Sequence, residues 1–175
     1  MTNVVIAIDT RDLYTSIRRS FGDNQKLDYS MYFSKATTEG EVVFRAMAYG
    51  TAPTQHQASK FQTMLKRIGF NVKYKYPVER RVHATEETKK IWIDNTVLMT
   101  VDIIKVIDSG KIDRLVLGVS DPQFVDLIEY CKEKGVRVTV YACGICRELR
   151  DAANDYVEID PDMILETEAQ EVVNS

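Results

Sequence analysis

The stretch at residues 113–128, DRLVLGVSDPQFVDLI, constrains this chain more than any other. Leu115, Val116 and Leu117 form a continuous apolar run, which reads as a strand covered on both faces. The run stops at Gly118 and Ser120, and Asp121 follows. Pro122 then stands at a helix's first position, where its missing N–H has no helical partner to lose. Phe124, Ile128 and Cys131 continue at helical spacing, and Gly135 supplies the stop. A carboxylate is thereby set at the carboxyl end of a buried strand, where α/β sheets collect their ligands.

The same arrangement opens the chain. NVVIAI at residues 3–8 is a second buried strand ending on Asp9; Asp12 follows, then Leu13, Ile17 and Phe21 at helical spacing. An Asp in either place also does the common work of an N-cap. EVVFRAMAY at 41–49 reads as a third strand, closed by Gly50 and Pro53. A helix is expected from Gln55 through Ala58, Phe61, Leu65 and Ile68, with Gly69 ending it. NVKYKY at 71–76 alternates lysine with apolar or aromatic residues, as a half-exposed strand near a sheet edge does. Residues 22–40 read as polar loop with room for one short helix, and residues 78–90, dense in Arg and Lys without a period, as loop.

Val97, Val101 and Ile104 give residues 91–108 a helical period, with Asp94 or Asn95 as its cap. Asp102 interrupts that apolar run, and because a carboxylate buried alone is costly it is expected to face a partner. VRVTVY at 136–141 is a fifth strand, 146–154 a helix and 156–159 a last extended piece. Strands alternating with helices at this spacing argue an α/β fold: a single-domain three-layer α/β/α sandwich with a mainly parallel, Rossmann-like sheet over residues 1–160. Residues 161–175 form an acidic C-terminal tail whose part at 163–165 is expected to dock.

Charge is distributed unevenly. Residues 1–90 hold 15 Lys or Arg against 9 Asp or Glu, and residues 91–175 hold 8 against 17. A basic half and an acidic half suit a site that attracts a polyanion and also binds cations. Three cysteines make no disulfide framework and fit a reducing cytoplasm. No apolar run approaches the roughly 18 residues of a membrane span, and no leader is evident.

The ordered motifs now resemble the NYN domain, a branch of the PIN-like ribonuclease superfamily. VVIAIDTRDL is similar to its opening strand followed by Asp-Gly-x-Asn-Leu; FQTMLKRIGFNVKY to its helix and Gly-Phe strand; and KKIWIDNTVLMTVDII to its Lys, Asp and second Asp six residues on. LVLGVSDPQFVDLIEYCKEKGVRVTVYA resembles its strand, Ser-Gly-Asp-x-Asp-Phe, helix, Gly, strand unit, and CRELRDAANDYVEID its closing segment. Three departures stand out: Asp12 replaces Asn; the first Asp of the third motif falls on Thr96, with Asp94 two residues early; and Gln123 replaces the second acid of the fourth.

The resemblance implies a cytoplasmic, metal-dependent ribonuclease that hydrolyses phosphodiester bonds of single-stranded RNA and leaves a 5′-phosphate. Asp9, Asp102 and Asp121 are the expected catalytic set, and Asp9, Asp12, Asp94, Asp102 and Asp121 the expected ligands of Mg²⁺ or Mn²⁺. Converging carboxylates repel each other in an empty site, and hard cations take such oxygens while keeping several waters. Lys60, Lys73, Lys75, Arg80, Arg81, Lys89 and Lys90 are expected to hold the RNA backbone, with Tyr74 and Tyr76 packed in a strand or stacked on unpaired bases. His83 reads as a surface residue. A homodimer is left open. Two rivals remain: a catalytically inactive PIN-like module that binds RNA or a protein partner, and redox or metal use of Cys143-Gly-Ile-Cys146.

Overall fold

The structure, a computed structural model, describes residues 1–53, 59–83 and 87–166. The expected helix start at Gln55 and Ala58 and the tail beyond residue 166 lie outside the described residues. In chain order, β1 (Thr2–Asp9) leads into α1 (Thr10–Phe21), then β2 (Gln25–Leu27), α2 (Tyr29–Lys35) and β3 (Glu41–Thr51). Next come α3 (Ser59–Ile68), β4 (Asn71–Lys75), β5 (Val78–Arg81), β6 (Thr88–Ile91) and α4 (Thr96–Ile107). The chain continues as β7 (Arg114–Gly118), α5 (Val125–Glu133), β8 (Arg137–Ala142), α6 (Arg147–Ala152), β9 (Asp155–Glu158) and β10 (Ile164–Glu166).

Six strands form one parallel sheet in the order β4-β3-β1-β7-β8-β9. β1 lies inside it, and Val4 to Ile8 have no solvent exposure at all. That is why its sequence is apolar without alternation: both faces are covered. The helices α1, α2 and α3 lie on one face and α4 and α5 on the other. Tyr29 of α2 meets Phe61 of α3 edge-on at 5.3 Å, and Tyr130 of α5 donates to Asp108 at the end of α4 at 2.6 Å. As expected, 71–75 is an edge strand, and Met163 is buried where β10 pairs with β2.

Four local expectations are corrected. Residues 22–40 hold a strand, β2, as well as the one short helix expected: in that helix, α2, Tyr32 is fully buried, stacked on Tyr141 and donating to that residue's carbonyl at 2.8 Å. Tyr29 and Tyr32, three residues apart, share a face of α2, and Asp28 caps it. The stretch expected as loop at 78–90 instead holds β5 and begins β6, which pair antiparallel with every residue of both strands exposed, leaving no burial pattern to read. Pro122 opens a single 3-10 turn, and α5 begins at Val125. In α4 the buried stripe is Met99, Ile103, Val106 and Ile107, whereas Val97 is 72% exposed and Val101 41%. The helix is apolar nearly all round, so periodicity could not say which stripe faces the sheet.

Where β7 ends, backbone approaches side chain closely. A Cβ on Gly118 would stand 2.7 Å from both Ile8 Cγ2 and the Tyr32 hydroxyl. Gly118→Ala is therefore expected to cost about 1–3 kcal/mol through overpacking, measurable as a lowered denaturant midpoint; an unchanged midpoint would mean that α2 can shift away freely.

Candidate active site

From β1 the chain works outward through β3 to β4, and from β7 outward through β8 to β9. The direction reverses between β1 and β7, and the carboxyl ends of two such strands frame the crevice in which open α/β sheets bind ligands. Asp9 ends β1, and Ser120 and Asp121 follow β7. Ile8 pairs in register with Gly118, so the two strand ends lie side by side.

Each carboxylate there is held by its own local structure. Asp9 caps α1: its Oδ1 accepts from the backbone N–H of Arg11 at 3.0 Å and of Asp12 at 3.2 Å. Asp121 caps the 3-10 turn, with Oδ1 accepting from Gln123 N at 2.9 Å and Oδ2 from Gln123 Nε2 at 3.2 Å. Asp12 ties the two elements together. Its Oδ2 accepts from Ser120 N at 2.9 Å, and its Oδ1 from the hydroxyls of Ser120 at 2.5 Å and Ser16 at 3.0 Å. Asp9, Asp12 and the Ser120–Asp121 segment are thus one hydrogen-bonded assembly spanning the crevice.

Beside it lies Asn95, just before α4 and only 2% exposed. Its Nδ2 donates to Gly50 O at 2.9 Å, which fixes the amide's orientation. Its Oδ1 is buried and has no hydrogen-bond partner among the described residues. Such an orphan costs about 1–3 kcal/mol unless something binds it. Thr10, next to Asp9, donates to Tyr49 O at 2.9 Å and shares a 2.6 Å hydrogen bond with the Tyr74 hydroxyl, closing the wall between β1 and β4. The sequence offered Asn95 only as a cap; it makes no capping bond, and its burial could be seen only once α4 was docked.

Asp102 is not part of this assembly, which corrects its expected place. Its Oδ2 accepts from Lys73 Nζ at 2.5 Å and from the Tyr49 hydroxyl at 2.9 Å. Burial works to raise the Asp102 carboxyl, yet Lys73 and Tyr49 hold it below the usual carboxylate range. The expected convergence of Asp9, Asp102 and Asp121 is thus not found, and no group of three or more His, Cys, Asp or Glu among the described residues is arranged to hold a metal ion. Asp94 is exposed, its Oδ1 accepting from Thr96 N at 3.0 Å.

The basic residues divide. Lys73 is consumed by Asp102, and Lys75 donates to Asp94 O at 3.3 Å. Arg80, Arg81, Lys89 and Lys90 are exposed on the β5–β6 hairpin, with Arg80 directly opposite Lys89. Lys60 lines an open groove of about 1700 Å³ against α1, α2 and α3. The hydroxyls of both candidate tyrosines are engaged, Tyr74 with Thr10 and Tyr76 accepting from Gln62 at 3.4 Å, while the Tyr74 ring meets Phe61 edge-on. His83 is exposed. Burial pushes the Cys143 thiol up, opposite to what an activated thiolate needs.

The NYN domain profile matches residues 3–160, and the chain belongs to the NYN domain family, a branch of the PIN-like superfamily with its nuclease fold. A crystal structure of a protein of unknown function from Vibrio parahaemolyticus is similar to this one: TM-score 0.77 and 28% identity over 94% of this chain and 96% of that one. No curated protein matches the chain. No helix among the described residues is long and apolar enough to cross a membrane.

Burial pushes the Asp9 carboxyl up to about 6, and the neighbouring Asp12 charge adds to this, while the two backbone N–H groups and Arg11 oppose it. The sign follows directly. A carboxyl raised from 3.8 to about 6 favours the protonated fold, so stability is lost as pH rises between these values. Asp9→Asn keeps the cap and removes the charge. It is expected to raise the melting temperature above pH 6, by at most about 3 kcal/mol of stability, and to leave it nearly unchanged at pH 4. A melting curve against pH, without divalent cations, checks this; equal gains at both pH values would contradict it.

Proposed function

We propose that this chain is a metal-dependent ribonuclease hydrolysing phosphodiester bonds of single-stranded RNA in the crevice between β1 and β7. The observation that carries the reading is the assembly of Asp9, Asp12, Ser120 and Asp121 where the sheet's connections reverse. Mg²⁺ or Mn²⁺ needs only one or two protein carboxylates, because waters and substrate phosphate oxygens complete its shell. Asp9 and Asp121 would hold it, and Asn95 Oδ1, buried on the β3 side without a partner among the described residues, is a further neutral oxygen. When bound, the cation neutralises charge on the phosphoryl oxygens and makes a water nucleophilic.

The chain's own groups do the positioning. Asp12 spends its acceptors on Ser120 and Ser16, so its part is to hold the Asp121 turn against α1 rather than to ligate. Asp102, neutralised by Lys73, steadies β3 and β4 beside the crevice. Asp121→Asn is expected to abolish Mg²⁺- or Mn²⁺-dependent cleavage of single-stranded RNA, with melting temperature and RNA affinity retained. Equal cleavage by wild type and variant would remove the site from this position. Absence of metal-dependent cleavage by wild type would favour the second reading, an inactive RNA-binding module. Gln123 in the place of an acid and the sequestered Asp102 point that way.

The hairpin supplies the RNA arm of the proposal. Like charges facing across a strand pair repel, and an isolated two-stranded ribbon is marginal in water, so Arg80 opposite Lys89 suits a surface completed by a polyanion. Arg80→Ala with Arg81→Ala is expected to weaken RNA binding for all sequences and to lower the slope of affinity against salt by about one to two phosphate contacts. An unchanged slope would make these arginines solvated surface.

A further inference from the structure

The groove beside the crevice carries features that the cleavage reading does not use. Its opening shows the chain's one tryptophan, Trp92, 45% exposed, and Tyr14, 53% exposed. Each ring has a guanidinium over it: Arg11 lies 5.7 Å from the Trp92 centroid, and Arg18 lies 5.1 Å from that of Tyr14. Arg11 and Tyr14 stand on α1 two and five residues beyond Asp9, Trp92 directly follows β6, and all three line the same groove.

Charge in the groove is matched to an anion. Lys26, Lys60 and Arg67 line it with no ion-pair partner among the described residues. The carboxylates that share the lining are engaged: Asp23 pairs with Arg18 at 3.5 Å, and Asp28 accepts from Met31 N at 3.0 Å. Half-exposed aromatic rings, arginines close to them and unpaired cations are what a single strand needs, since any base stacks on such a ring while its phosphates follow the cations. A duplex hides its base faces and cannot use them.

We infer that this groove is a stacking site for unpaired bases of single-stranded RNA, with Trp92 and Tyr14 as the platforms. The inference rests on reading the neighbouring crevice as an RNA site, but it is tested apart from cleavage. Because Trp92 is the only tryptophan, its emission reports the groove alone. With EDTA present, an oligouridylate of about 20 nucleotides is titrated into the protein while its binding is followed independently by anisotropy of a terminal dye. The expected result is that Trp92 emission is quenched in step with binding, and that duplex RNA of equal length quenches far less. Trp92→Ala is expected to weaken oligouridylate binding about tenfold, with Trp92→Phe restoring most of it. Tyr14→Ala should show a similar loss and serves if Trp92→Ala lowers the melting temperature.

Binding without quenching, or Trp92→Ala and Tyr14→Ala variants that bind as tightly as wild type, would overturn the groove while leaving the Asp121 test of the nuclease untouched. Quenching with tenfold losses but no metal-dependent cleavage would uphold the groove and sink the nuclease. No binding of oligouridylate at all would overturn the groove and leave the nuclease to its own cleavage test.

Discussion

Everything at the carboxyl edge depends on β1 being paired along both sides and covered on both faces. A strand hydrogen-bonded along both edges and packed on both faces is held in place by its two ladders and by the close fit of its side chains. Val4 to Ile8 therefore fix where Asp9 emerges, and pairing with β7 fixes where Ser120 and Asp121 stand beside it. Two glycines let the surrounding layers close on this edge. At Gly118 there is room for backbone only against Ile8 and Tyr32, and at Gly50 a Cβ would lie 2.4 Å from the Tyr74 ring.

The sheet was legible because burial leaves an unbroken apolar run, and Asp9 and Asp121 were legible because a strand's end and a helix's start bracket them. Asp102 was misplaced for a physical reason. Sequence spacing gives the direction of a side chain around its own helix, but not which neighbour that direction meets. With the Met99 and Ile103 stripe against the sheet, Asp102 falls over β3 and β4, where Tyr49 and Lys73 were waiting. Asn95 and the hairpin were hidden for opposite reasons: one polar residue is buried by docking, and eight strand residues are exposed throughout.

Asp9, Tyr49 and Lys73 are partners in register across β1, β3 and β4, about 4.8 Å from strand to strand. Along this row the charge passes from a carboxyl that burial resists ionising, through a neutral phenol, to an ammonium bonded to Asp102. The acidic character of the edge is thus confined to the β1–β7 side. At the β4 end of this row a phosphate meets a balanced ion pair rather than a second anion.

The tie between Asp12 and Ser120 joins the first turn of α1 to the turn that follows β7. An amide at position 12 has one accepting atom and one donating atom, whereas here three donors converge: Ser120 N–H and the hydroxyls of Ser120 and Ser16. Only a carboxylate receives all of them without turning one donor against another. The hydroxyl at 120 and the charge at 12 therefore work as one unit, and losing either leaves the other with unmatched hydrogen-bonding groups.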